Sequence, residues 1–371
     1  MLFYPRKYVL IVFFFLYLPV FSVQPDDSIR SFITGKIHYG FVLPHHSFIE
    51  YLVNSHLYAV ELNYTKVTPD SNYYKPEKGL GLIYSQLGNN ELLGTSVSLL
   101  GFYNYNILHS SDDWFRTDFR IGLGLGYVTK TFDLYSNNTD LAISAHINAH
   151  INLGLEFKYR VSSSCAINFG GRLMHLSNGK MSAPNYGINL MTINAGISCL
   201  VRDRTTPYKK LILPVPKTWI YEAVVAGGVT VIAAHMPGLY PVASAQVNGY
   251  RQFNQKGRLG VGVDFFYNQS TYPSLITHNL YDWLEPMNFK KSDNMSAGIH
   301  LAYEICHNRL TYTIQLGSYL KSAVYGTGGL YHRIGLKYTL TEHLMLNLSL
   351  KTHWAVAEYV EWGIGYRITR Q

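Results

Sequence analysis

The stretch Trp114–Tyr127, WFRTDFRIGLGLGY, alternates in character from one residue to the next. Its odd positions are apolar apart from one threonine, whereas its even positions carry Arg116, Asp118 and Arg120 and then glycines. Successive side chains of a β-strand point to opposite faces, so the pattern predicts a strand with one apolar and one charged face. Charges of both signs on one face, over ten residues or more, favour a transmembrane β-barrel over a soluble sandwich.

The same period-two pattern recurs along the whole chain. Predicted strands lie near residues 33–42, 57–66, 79–86, 92–105, 114–128, 150–161, 164–177, 187–201, 219–234, 240–252, 257–268, 293–306, 309–320, 328–340, 343–353 and 358–369. Aromatic residues make up 15% of the chain and it contains 31 Tyr and 31 Gly, which suits a barrel with aromatic girdles at both membrane interfaces. We therefore predict an all-β, antiparallel transmembrane β-barrel of the outer-membrane type with about sixteen strands.

The strands fall into two sets of about eight. Between them, residues 203–217 include Pro207, Pro214 and Pro216, which cannot pair in a central strand. The predicted organisation is a first barrel half at 23–202, a linker or periplasmic turn at 203–217 and a second half at 218–371. The chain could close as one sixteen-stranded barrel or as two eight-stranded barrels. A single closure is slightly favoured, because it removes all sheet edges at once.

The N-terminus has the pattern of a secretory signal. Arg6 and Lys7 precede a short apolar run, and small residues precede Val23, which predicts a cleaved signal peptide at residues 1–22 and export to the outer membrane. The formal net charge of +8 falls once the signal is removed, and the modest remainder favours an anionic lipid surface. No dense basic cluster or motif indicates nucleic-acid binding.

Neither the cysteines nor the closely spaced histidines predict a metal site or a cofactor. Cys165, Cys199 and Cys306 fit no zinc or redox spacing, and their positions in predicted strands favour a role as small apolar filler. His146 and His150 lie four residues apart, but no nearby carboxylate stands at ligand spacing.

The segment Gly170–Asn194, GGRLMHLSNGKMSAPNYGINLMTIN, carries the candidate active site. His175 and Ser177 continue the apolar row of the seventh predicted strand, and Asn189 lies in the apolar row of the eighth. All three therefore face the bilayer, where polar side chains are costly and usually functional. A histidine and a hydroxyl on one face are the minimum parts of an activated nucleophile. With a periplasmic N-terminus the seventh strand runs outward, which places the site at the outer leaflet.

The residues of this segment resemble the sequence motif of a known protein family. His175-Leu-Ser177-Asn178-Gly179, Pro184-Asn185 and Gly187-Ile188-Asn189 are similar to the motif of the lipid A 3-O-deacylase (PagL) family, and the run from Ile143 to Glu156 is similar to members of that family. The resemblance covers roughly Gln24–Arg202. It implies an outer-membrane carboxylic ester hydrolase that removes the ester-linked acyl chain at the 3-position of lipid A, with lipopolysaccharide as its partner in the outer leaflet.

The resemblance also implies a role for each residue of the motif. Ser177 would be the nucleophile, and His175 would be the general base that takes its proton. Asn185, together with Asn178 and the backbone N–H groups near Gly179, would position the substrate and stabilise the oxyanion.

This chain departs from the family pattern at Asn189, where the family has a glutamate. A glutamate orients the histidine and stabilises the imidazolium, whereas an asparagine can only orient it. In the serine-protease template the amide costs about 10⁴ in rate, yet Cys–His–Asn enzymes work with one. Glu156 is no obvious substitute, because it belongs to a lumen-facing row.

The second half carries only a weak echo of the site. It has His353 in a predicted lumen-facing row, but Trp354 follows where the first half continues toward Ser177. We therefore predict no matching site in the second half. A non-catalytic barrel, such as a porin, a channel or a surface-binding scaffold, stays open as the alternative function, and a homodimer stays open as a possible assembly.

Overall fold

A computed structural model describes residues 29–67, 76–112, 114–204, 218–236, 238–254, 257–282, 289–307, 309–323, 329–354 and 356–370. The predicted signal peptide and most of the predicted linker lie outside these residues. Among the described residues, no helix is both long enough and apolar enough to cross a membrane.

Sixteen antiparallel strands carry the described fold. The first set is β1 Ile29–Val42, β2 Leu57–Val67, β3 Glu77–Gln86, β4 Thr95–His109, β5 Phe115–Val128, β6 Ile147–Arg160, β7 Cys165–Ser177 and β8 Ile188–Arg204. The second set is β9 Trp219–Thr230, β10 Tyr240–Gln252, β11 Gly257–Asn268, β12 Met295–His307, β13 Leu310–Lys321, β14 Leu330–Thr339, β15 Leu344–His353 and β16 Val356–Arg370. Short helices α1 Ser47–Glu50 and α2 Thr271–Asp282, and a 3-10 turn at Lys291–Asn294, lie in the connections.

The strands close into two barrels of eight. β8 returns to pair with β1, in a register that runs from Ile29 opposite Arg204 to Val42 opposite Leu190, and β16 pairs with β9. The single sixteen-stranded closure that was slightly favoured from the sequence is therefore wrong. Pairing between β1 and β8 leaves the first sheet without a free edge, so β9 has no strand of that sheet to join.

The outward face is apolar and the inward face is charged, as the alternation predicts. On β5, Ile121, Leu123 and Leu125 are each 42% exposed, whereas Asp118 and Arg120 are buried. Charges in a low-dielectric interior require partners, and the first barrel supplies them. Its interior ion pairs include Lys36–Glu156, Arg172–Glu156 and Arg120–Glu61.

The second barrel has the same kind of interior. Lys337 lies between Glu222 and Glu304, with N–O distances of 2.6 and 2.7 Å, and Arg333 pairs with Asp264 and Glu361.

An apolar cluster fills the first barrel beneath the loops at one end. It joins inward-facing strand residues to the connecting segments, and it includes Ile49, Val128, Ile143, Leu176 and Ile188, all without exposed surface. Because Leu176 and Ile188 are neighbours of the candidate site residues, this cluster gives the end of the β7–β8 hairpin a rigid floor.

Candidate active site

Strand pairing brings the predicted histidine and asparagine together. On β7 and β8, His175 lies directly opposite Asn189, so their side chains share one face of the sheet. That face is the outward one, because Leu173 is exposed while Met174 and Leu176 are buried.

The hydrogen bond between this pair sets the tautomer of the imidazole. His175 Nδ1 lies 2.7 Å from Asn189 Oδ1, and since a carboxamide oxygen only accepts, Nδ1 carries the proton. In the neutral ring, Nε2 is then the basic nitrogen. Gly187 packs on the ring in a left-handed conformation (φ +79°), and a Cβ there would lie 2.7 Å from His175 Cε1, so only glycine leaves the imidazole its place.

Ser177, at the end of β7, is held by two donors. Its Oγ accepts from Asn185 Nδ2 at 2.9 Å and from the backbone N–H of Gly179 at 3.2 Å. Asn185 Oδ1 accepts in turn from the backbone N–H of Asn178 at 3.1 Å. Among the described residues no hydrogen bond joins Ser177 to His175. The site is therefore two hydrogen-bonded groups side by side on the outward face.

The structure adds a residue that the sequence did not indicate. Asn189 Nδ2 donates to His45 Nδ1 at 2.9 Å, and His45 Nε2 donates to the carbonyl of Tyr186 at 2.9 Å. His45 follows β1 and reaches the site only because β1 pairs with β8. A backbone hydrogen bond from Leu43 N to Asn189 O, at 2.8 Å, extends this pairing beyond the end of β1. No local pattern around His45 could have shown this.

The loop between β5 and β6 supports the loop that carries the site. The backbone N–H of Gly187 donates to Ala142 O at 2.9 Å, and Asn178 Nδ2 donates to Ser144 Oγ at 3.2 Å. The buried Asp140 shapes this support, because its Oδ1 accepts from the backbone of Ala142 at 3.1 Å. Burial raises the pKa of the Asp140 carboxyl to about 7.

Two family models match most of the chain. Residues 58–198 match the lipid A 3-O-deacylase (PagL) family, and residues 219–370 match the family described as acyloxyacyl hydrolase, C-terminal domain. The chain belongs to the lipid A 3-O-deacylase family. It is accordingly an integral outer-membrane protein, in a family of hydrolases that act on lipopolysaccharide.

Solved structures resemble this deacylase-family chain only distantly. Neisserial surface protein A is 11% identical, with 46% of this chain and 96% of that chain covered at a TM-score of 0.31. A triple mutant of the Rhodopseudomonas blastica porin is 9% identical, with 92% and 100% covered at a TM-score of 0.17. At such scores the likeness adds nothing to the strand pairing itself. No match was found among curated proteins.

In this family member, the second barrel contacts the turn that follows the serine. A Cβ built on Gly179 would lie 2.5 Å from Val360 Cγ2 and 3.7 Å from Leu350 Cδ1. The backbone N–H of Val231 donates to Lys180 O at 3.2 Å. These contacts show that the turn is packed against the second barrel. Burial also lowers the pKa of Lys180 in this turn.

The remaining predicted residues lie elsewhere. The ring of His146 stacks on the outward-facing Tyr127 at 5.3 Å, while His150 is buried inside the first barrel, so the two do not share a ligand. His353 lies at one end of β15, where its Nε2 is 2.7 Å from Glu358 Oε2. In the described part of the chain, no group of His, Cys, Asp and Glu could hold a metal ion.

Proposed function

We propose that this protein removes an ester-linked acyl chain from lipid A, with Ser177 as nucleophile and His175 as general base. The observation that carries the proposal is the outward face of the β7–β8 hairpin. It presents the serine, the histidine and the oxyanion donors to the side of the barrel where the acyl chains of lipid A lie. A soluble substrate would not require these polar groups on a bilayer-facing row.

The reaction follows the course of acyl transfer to serine. Ser177 Oγ attacks the ester carbonyl while its proton passes to His175 Nε2. The hydroxyl of the sugar then leaves with that proton, and a water molecule hydrolyses the acyl-enzyme to release the fatty acid and restore the serine. Hydrogen bonds between nucleophile and base often form only in the substrate complex. This suits Ser177 and His175, which lie two residues apart on one face of β7 and are not hydrogen-bonded to each other.

The donors around the serine suit the charge that develops. Asn185 Nδ2 and the N–H of Gly179 already donate to Ser177 Oγ. After the attack, this oxygen is bonded to the former carbonyl carbon. The new oxyanion forms beside these two donors, where aligned donors stabilise it. Asn178 takes part by holding Asn185 in place through its backbone N–H.

Mass spectrometry of lipid A tests the proposal. Cells that express the wild type should yield lipid A lacking one ester-linked acyl chain, whereas Ser177→Ala should leave it intact, because the nucleophile is lost. Ser163→Ala, in the exposed turn before β7, is the matched control and should behave as the wild type. Identical acylation with wild type and Ser177→Ala would remove the hydrolase assignment.

The alternative of a non-catalytic channel has less support. A channel requires an open lumen, but buried ion pairs extend through the interior of both barrels, as with Arg120–Glu61 and Lys337–Glu222. Filled interiors are typical of small barrels that do not conduct, so the hydrolase is the function that we carry forward.

A further inference from the structure

We propose that Cys165 and Cys199 form a disulfide in the mature protein. The two residues are register partners on β7 and β8, and their sulfur atoms are 3.2 Å apart. Both side chains belong to the outward row, so they lie next to each other on one face of the sheet. The spacing of 34 positions in the sequence gave no hint of this contact, which exists only because of the hairpin register.

The pair lies at the periplasmic rim of the barrel. Cys165 opens β7, directly after the short turn that joins it to β6, at the strand end opposite Ser177. The charged Arg30–Asp203 pair lies nearby, with an N–O distance of 3.3 Å and both side chains partly exposed. Cys199 is itself exposed, so an oxidant in the periplasm can reach the thiols.

The compartment favours oxidation. Disulfides form and persist in the bacterial periplasm, through which an outer-membrane protein passes before assembly. Cross-strand partners fall within the Cα separation that a disulfide requires, and rotation about the Cα–Cβ bonds can close the remaining gap between the sulfurs.

The step is an exchange with a disulfide of a periplasmic thiol oxidant. The thiolate of one cysteine attacks the oxidant's disulfide to form a mixed disulfide, and the thiolate of the other then displaces the oxidant. The two cysteines lose two electrons and two protons, and the oxidant leaves as a dithiol. The new bond ties together the two strands that carry His175 and Asn189, and it holds their hairpin in register while the chain is still unassembled.

Counting free thiols tests the proposal, with Cys306 of the second barrel as an internal reference. Cells are quenched in acid, the full-length protein is denatured, and free thiols are labelled with a maleimide whose adducts are counted by intact mass. We expect one adduct without reduction and three after reduction. Peptide mapping should place the single adduct on Cys306.

Two variants and one strain sharpen the outcome. Cys165→Ser should give two adducts without reduction, and Cys306→Ser should give none. In cells that lack the periplasmic thiol oxidant, the wild-type protein should give three adducts without reduction. Three adducts from wild-type protein in normal cells, or a disulfide-linked dimer on a non-reducing gel, would overturn the proposal.

Discussion

At the scale of single residues, Asn189 stands between two histidines and uses both ends of its amide. Its Oδ1 accepts from His175 and its Nδ2 donates to His45. The orientation of this amide matters. A flipped amide would present Nδ2 to His175 Nδ1, which would then have to accept, and the imidazole proton would move to Nε2. A general base needs Nε2 unprotonated. His45 is therefore suited to be a positioning residue that keeps the amide in its productive orientation.

A double-mutant cycle tests this role. Asn189→Glu should give equal or higher deacylase activity, because a carboxylate also stabilises the imidazolium. His45→Ala should lower kcat roughly tenfold in the Asn189 background, a cost of about 1.4 kcal/mol. In the Asn189→Glu background its effect should be small, because both carboxylate oxygens accept and no wrong orientation exists. The measurement is kcat and KM on lipid A in detergent micelles.

Two outcomes would contradict the argument. An equal loss from His45→Ala in both backgrounds would mean that His45 only supports the loop through Tyr186. A complete loss in Asn189→Glu would mean that the assignment of His175, Ser177 and Asn189 is wrong.

Most residues of the candidate site could be predicted from the sequence, but His45 could not. Period-two alternation suffices to put His175, Ser177 and Asn189 on one outward row, because strand geometry depends on near neighbours. His45 lies 144 positions from Asn189 and in a loop, so no periodicity relates them. Its place depends on the closure of the sheet, which alternation does not encode.

At the scale of elements, the strands were predictable and the loops were not. All sixteen predicted segments overlap a strand, because burial on one face sets their pattern. The loop between β5 and β6 has no such pattern. It holds the site loop through hydrogen bonds between residues that are distant in the sequence, from the backbone N–H of Gly187 to Ala142 O and from Asn178 Nδ2 to Ser144 Oγ. Asp140 organises that loop, which makes its ionisation a test of the loop's stability.

The loop should open as the pH rises. In the native loop the pKa of Asp140 is about 7, whereas an aspartate in an unfolded chain titrates near 4. Between these values the native form binds more protons, so stability falls as pH rises through that window, by up to about 1.4 kcal/mol per pH unit. Above about pH 7 both forms are ionised and the loss is complete.

Hydrogen exchange, corrected for the intrinsic pH dependence of amide exchange, measures this opening in peptides that cover residues 129–146. Asp140→Asn is the matched control, because its side-chain oxygen can still accept from Ala142 while the group no longer titrates. Protection in the variant should be independent of pH from 4 to 7. A wild-type loop whose protection is equally flat would refute the role given to Asp140.

At the scale of the whole molecule, two separate closures build the surroundings of the site. Pairing of β8 with β1 delivers His45 to Asn189, which a sixteen-stranded barrel, with β8 beside β9, would not do. The proline-containing segment predicted between the halves indicated a boundary, but the choice between one closure and two depends on long-range pairing that local sequence does not set. The second barrel then lies against the turn after Ser177, where Val360 meets Gly179.

This contact predicts that the second barrel affects catalysis although the serine and histidine lie in the first. Val360→Ala should leave a gap beneath Gly179 and so let the Gly179 N–H that donates to Ser177 move. We expect kcat to fall roughly fivefold, which corresponds to a packing loss of about 1 kcal/mol. KM should change little, because the donor acts on the developing oxyanion. Val225→Ala, on β9 of the same barrel and 62% exposed on its outward face, is the control and should retain full turnover. Heat-modified gel mobility verifies that both variants are folded. Equal kcat values in the two variants would show that the second barrel does not position the turn.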